Sequence, residues 1–89
     1  MKAISIAITG KVQGVYYRAS TVDKAKELGI NGTVQNLPDG SVFIIAEGDE
    51  TTLDIFTNWC KKGPILARVK AIKVTELNLK GYTDFVITP

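Results

Sequence analysis

Few residues in this 89-residue chain have a side chain that could do chemistry. There is no histidine and a single cysteine, Cys60. Ser-His and Cys-His nucleophilic pairs and histidine metal ligands are therefore excluded. What remains is a glycine-bracketed stretch, Gly10-Lys11-Val12-Gln13-Gly14-Val15-Tyr16-Tyr17-Arg18. Two glycines four positions apart permit backbone conformations that a Cβ would forbid. A turn of that kind opening into a helix aims successive N–H groups at one point, a concavity that suits an anion and phosphate above all.

Arg18 strengthens this reading. A cation at the N-terminal turn of a helix has the wrong sign for the helix dipole and costs a few tenths of a kcal/mol, up to ~1. An anion held between the guanidinium and the helix end removes that cost, and the planar fork can grip two phosphate oxygens at once. A plain surface loop with its arginine in water has the same local pattern, because short glycine-rich loops are nonspecific.

The flanking sequence says what must position the loop. Ile4, Ile6 and Ile8 alternate with Ser5, Ala7 and Thr9, which predicts a first strand over residues 3–9 with the isoleucines in the core. A first helix runs from about Arg18 to Leu28, with Ala19, Val22, Ala25 and Leu28 as its apolar stripe and Gly29 ending it. Residues 30–37 read as strand two, Pro38-Asp39-Gly40 as a turn and residues 41–47 as strand three, so these two strands form a hairpin. Asp49 and Glu50 open a second helix striped by Leu53, Phe56 and Cys60 and widened by Ile55 and Trp59. Lys61, Lys62 and Gly63-Pro64 close it. Residues 68–76 give strand four, whose alternation slips between Ala71 and Ile72 as at a bulge, and residues 84–88 offer a short fifth strand.

The order βαββαβ is that of the ferredoxin-like, split βαβ sandwich, an α+β fold with two helices on one face of an antiparallel sheet. In that topology strands one and two run parallel with another strand between them. The loop after strand one and Asn36 at the end of strand two therefore meet at one sheet edge, and Asn36 becomes a candidate partner for Arg18. Asparagine before a turn also commonly bonds its own backbone, which is the competing reading.

Length predicts a single domain over residues 1–89. A net charge of +2, with no Lys/Arg cluster beyond a pair, gives no broad basic face for nucleic acid. The alternating start is not a signal peptide, and no apolar run approaches the ~20 residues that span a bilayer. A lone cysteine fits a reducing compartment. The expectation is a cytoplasmic, monomeric protein with no membrane or nucleic-acid partner.

The residues then resemble a known family. Gly10-Lys11-Val12-Gln13-Gly14-Val15-Tyr16-Tyr17-Arg18 and Gly32-Thr33-Val34-Gln35-Asn36-Leu37-Pro38-Asp39-Gly40-Ser41-Val42 are together similar to the two motifs of the acylphosphatases. Ala46-Glu47-Gly48, Gly63-Pro64 and Ala67-Arg68-Val69 add weaker matches over nearly the whole length. The resemblance implies hydrolysis of the carboxyl–phosphate bond of acyl phosphates to a carboxylate and inorganic phosphate, with no metal and no cofactor. It implies that the amides of Gln13, Gly14, Val15, Tyr16, Tyr17 and Arg18, with the Arg18 guanidinium, hold the phosphate. It implies that the Asn36 side chain positions the attacking water. Lys11 stands where the family commonly has arginine, Tyr16-Tyr17 where a small residue or Phe precedes Phe, and Phe43 where glutamate is usual. Tyr16 and Tyr17 leave substrate preference open.

The reaction needs little equipment. A carboxylate leaving group, pKa near 4, departs without protonation, so no general acid is required. Orientation of water and stabilisation of phosphoryl charge remain, and an amide, an arginine and backbone N–H groups supply them. With histidine absent, the substrate's own phosphate oxygen is one candidate acceptor for the water's proton. RNA-recognition modules share the βαββαβ order, and residues 80–86 echo their aromatic motif, but that motif belongs on strand three. A noncatalytic regulatory module of this fold would hydrolyse no acyl phosphate.

Overall fold

Alternation at the start of the chain produces β1 (Lys2–Lys11), in which Ile6 and Ile8 are fully buried and Ile4 packs against the same core. The computed structural model describes all 89 residues. After β1 come α1 (Tyr17–Leu28), β2 (Asn31–Asn36), β3 (Val42–Gly48), α2 (Glu50–Lys62), β4 (Arg68–Leu77) and β5 (Phe85–Ile87). The strands form one sheet in the order β4-β1-β3-β2-β5. Isoleucine, valine and alanine from its buried face meet Tyr17 and Ala25 of α1 and Leu53, Phe56 and Cys60 of α2 in one cluster. This is the ferredoxin-like α+β arrangement that the element order predicts.

The sheet is mixed rather than wholly antiparallel. β5 pairs in parallel with β2, Gly32 opposite Phe85 and Val34 opposite Ile87, while every other pairing is antiparallel. The register confirms the argument about strand ends. Val42 of β3 lies opposite Ile8 of β1 on one side and Asn36 of β2 on the other. Two strand spacings, about 10 Å, therefore separate Ile8, near the end of β1, from Asn36.

Three local expectations shift. Of the expected α1 stripe Ala25 is buried and Val22 and Leu28 pack against the core, whereas Ala19 is exposed and Tyr17 and Thr21 complete the buried face instead. Ile55 of α2 is 49% exposed, while Trp59 packs against the core. The irregularity in β4 falls at Lys70, skipped between Ala71, opposite Thr9, and Val69, opposite Gly10. Gly10 accommodates it: φ is 124°, and a Cβ there would lie 2.2 Å from the Arg68 carbonyl oxygen. The bulge thus redirects the chain just where β1 gives way to the loop.

At the far end of the sheet Glu47 is 3% exposed. Its carboxylate accepts N–H bonds from Lys80 at 2.6 Å, Gly81 at 3.2 Å and Tyr82 at 2.8 Å. The Asn31 side-chain nitrogen donates to the Tyr82 carbonyl at 3.1 Å. Together they hold the segment that carries the chain from β4, at one edge, to β5 at the other.

Candidate active site

The loop between β1 and α1 is shaped by two left-handed residues, Gly14 (φ 74°) and Tyr16 (φ 64°). A Cβ at Gly14 would meet nothing within 4 Å, so conformation rather than space calls for glycine there. In this region the first backbone N–H to reach a carbonyl is that of Ser20, which donates to Tyr16 at 3.0 Å. The amides before it, Gln13 to Ala19, have no backbone acceptor. Successive N–H groups in a turn with left-handed residues form an anion-binding concavity. Helix α1 has no side-chain cap and no acidic residue in its first turn, which leaves its positive end uncompensated.

Side chains of the loop divide by direction. Val15 and Tyr17 point into the core. The Tyr17 hydroxyl donates to the Cys60 carbonyl at 2.6 Å, and its ring meets Trp59 with centroids 5.8 Å apart. Those contacts pin the start of α1 to the end of α2. Burial pushes the Tyr17 phenol far above its ordinary pKa and the Cys60 thiol up to about 12, so both stay neutral and unreactive. Gln13 is spent on the hairpin: its side-chain nitrogen donates to the Leu37 and Ser41 carbonyls at 2.8 and 2.9 Å.

Gly14, Tyr16, Tyr17, Arg18 and Asn36 line one cleft of about 350 Å³, joined by Val12, Ala19 and Ile87. Gln13 and Val15 lie outside its lining, Gln13 with its side chain on the hairpin and Val15 with its side chain in the core. Arg18 is half-buried and belongs to none of the three ion pairs, which are Lys2–Glu50, Lys2–Glu76 and Lys24–Glu27. No carboxylate neutralises it. Asn36 shares the register of Ile8 and Val42, so its side chain points to the helix-covered face. Its Oδ1 is buried and accepts no hydrogen bond. The competing reading, in which Asn36 bonds its own turn, is not what the structure shows: the turn is closed by Asp39, whose Oδ1 accepts from the Ser41 N–H and hydroxyl.

Val12, Ala19 and Ile87 are lining residues that sequence reasoning missed. Ala19 was placed in the core stripe, and Ile87 reaches the cleft through the parallel β2–β5 pairing, which leaves no local sign. Nowhere do three His, Cys, Asp or Glu residues gather closely enough to hold a metal ion. No helix is long and apolar enough to cross a membrane.

Comparison with known proteins agrees with this geometry. The family profile described as Acylphosphatase matches residues 4–87. The chain is 48% identical over 88 residues to an acylphosphatase of Methylococcus capsulatus, covering 98% of this chain and 96% of that protein. It is 51% identical over 87 residues to one from Thermotoga maritima, covering 98% and 97%. The crystal structure of acylphosphatase from Bacillus subtilis superposes with a TM-score of 0.97 at 37% identity, each chain covered in full. Motifs, fold and relatives agree, and the chain belongs to the acylphosphatase family.

Proposed function

We propose that the amides of Gln13 to Arg18 and the Arg18 guanidinium hold the phosphoryl group of an acyl phosphate, and that Asn36 positions the water that attacks it. The observation that carries this reading is Asn36 Oδ1, a buried acceptor with no partner, in the same cleft as an arginine without a counter-ion. An unsatisfied buried acceptor costs about 1–3 kcal/mol, a cost that a hydrogen bond from a bound water removes. Water held on Oδ1 faces phosphorus across the cleft. The bond from phosphorus to the acyl oxygen breaks, and the carboxylate leaves with its electron pair and no proton. The water's proton passes to a phosphoryl oxygen, giving inorganic phosphate. Arg18 and the loop amides stabilise charge on the three equatorial oxygens throughout.

No residue in this scheme needs a metal or cofactor. The protein works as a monomer on a small-molecule substrate, without a nucleic-acid or membrane partner. The single free cysteine supports a reducing, cytoplasmic setting. Incubation with benzoyl phosphate, with and without EDTA, tests the proposal. The expected result is hydrolysis at equal rates in both, with inorganic phosphate as a competitive inhibitor. No turnover, or turnover restored only by added magnesium, would overturn it.

A further inference from the structure

Tyr16 is the one non-glycine residue with positive φ, at φ 64° and ψ 22°. A bulky side chain in that region is an outlier that persists only where the surroundings enforce it, and such outliers gather at functional sites. Packing does not account for its presence. The side chain is 77% exposed, and its hydroxyl takes part in none of the side-chain hydrogen bonds. Glycine would relax the backbone at this position, so the fold gains nothing visible from the ring.

The ring does stand at the cleft. Tyr16 lines it beside Ile87, itself 46% exposed, with Ala19 and Val12. A phosphoryl group occupies on the order of 100 Å³ if each oxygen takes about a water's share of volume. The cleft, at about 350 Å³, has room beyond the phosphoryl group for an acyl part. The polar groups are the loop amides, Arg18 and Asn36, and the proposed function assigns all of them to phosphate and water. The acyl part is left with an apolar rim whose largest face is aromatic.

We infer that Tyr16 is a specificity-determining residue that, with Ile87, selects acyl phosphates bearing a planar aromatic acyl group. This rests on the phosphate assignment above. A tyrosine ring has only two side-chain torsions to fix and offers a flat face for offset stacking. Stacking adds a geometric preference beyond the area buried. A saturated ring of the same size buries similar area but has no π face, so the pair of substrates isolates the effect.

The test compares kcat/KM for benzoyl phosphate and cyclohexanecarbonyl phosphate. Their intrinsic difference in reactivity cancels when the same pair is used on every variant. Tyr16→Gly should lower the benzoyl-to-cyclohexanecarbonyl ratio about three- to tenfold, the range that stacking energies imply. Tyr16→Asn, which also tolerates the left-handed backbone, should lower it equally. Tyr16→Phe should keep the ratio within twofold of the parent. A ratio unchanged by Tyr16→Gly and Tyr16→Asn overturns the inference and leaves the hydrolase standing. So does an equal loss on both substrates that is matched by weaker phosphate inhibition, since that shows only a disturbed loop. A parent protein that hydrolyses neither substrate removes the hydrolase reading itself.

Discussion

The Gln13 side-chain nitrogen donates to the Leu37 carbonyl at 2.8 Å, tying the candidate phosphate loop to the residue that follows Asn36. A second bond, to the Ser41 carbonyl, closes the clamp on the other side of the turn, at the residue before β3. The loop and Asn36, to which the proposed function assigns phosphate and water, are thereby held in one frame, although 24 residues separate the bonded pair.

Gln13→Glu should loosen that frame. The carboxylate has nearly the same shape but donates nothing, and it faces two carbonyl oxygens. Both carbonyls keep a backbone partner, Leu37 from the Gly40 N–H and Ser41 from the Leu37 N–H, so what is lost is two side-chain hydrogen bonds at about 1 kcal/mol each. In a chain of this size each kcal/mol moves the midpoint by roughly 4–8 °C. Thermal unfolding at neutral pH should show a drop of that order, with kcat reduced more than phosphate affinity. An unchanged midpoint would mean that the clamp contributes nothing.

Asn36→Ala should separate activity from stability. Loss of a preorganised polar group aimed at the reacting water lowers kcat by about 10²–10³. Phosphate inhibition should stay near that of the parent. The midpoint should hold or rise, because the variant removes a buried acceptor that has no partner in the fold. Normal turnover, or phosphate affinity lost as badly as in an Arg18 variant, would remove Asn36 from its role.

Arg18→Ala should damage both phosphate affinity and kcat, since the proposed function has the guanidinium on the phosphoryl group before and during charge redistribution. Arg18→Lys should recover little, because a point charge lacks the two-pronged geometry. Steady-state kinetics with phosphate as inhibitor reads both effects. Near-full rescue by lysine would reduce the role of Arg18 to simple charge.

Acid stability should depend on Glu47. The backbone N–H groups of Lys80, Tyr82 and Gly81, Lys80 foremost, hold its carboxyl below the usual glutamate pKa. The folded state therefore binds this proton less readily than the unfolded chain does. The stabilisation is fully present above the unfolded pKa, about 4.3, and is lost as pH falls through the folded value. Unfolding free energy should decline below about pH 4.5, and Glu47→Gln should flatten this part of the profile. Equal slopes in parent and variant would assign the acid sensitivity to other carboxylates.

What the sequence made legible follows the reach of each signal. Turn chemistry and helix ends are local, so Pro38-Asp39-Gly40 forms its turn and Gly29 ends α1 in a left-handed conformation. Alternation and element order are nearly local, and they bring Arg18 and Asn36 to one cleft. Interactions that depend on a distant partner left no trace. Gln13 reads as one more loop amide until its side chain is seen on the hairpin. Glu47 stands in the sequence only as part of the weak match Ala46-Glu47-Gly48, and the echo of an RNA-binding motif at Lys80-Gly81-Tyr82 supplies the N–H groups that enclose it. Ile87 joins the cleft only because β5 runs parallel to β2.

That strand order also has a kinetic consequence. Of the four pairings in β4-β1-β3-β2-β5, only β2 with β3 joins strands consecutive along the chain. The others close long loops, whose entropy must be lost before contacts repay it, and folds dominated by such pairings fold in milliseconds to seconds rather than microseconds. Arg18 and Asn36 meet only across β1–β3, a pairing of this distant kind. A refolding chain should therefore gain its hairpin first and its affinity for phosphate late, close to the moment the whole sheet is in register.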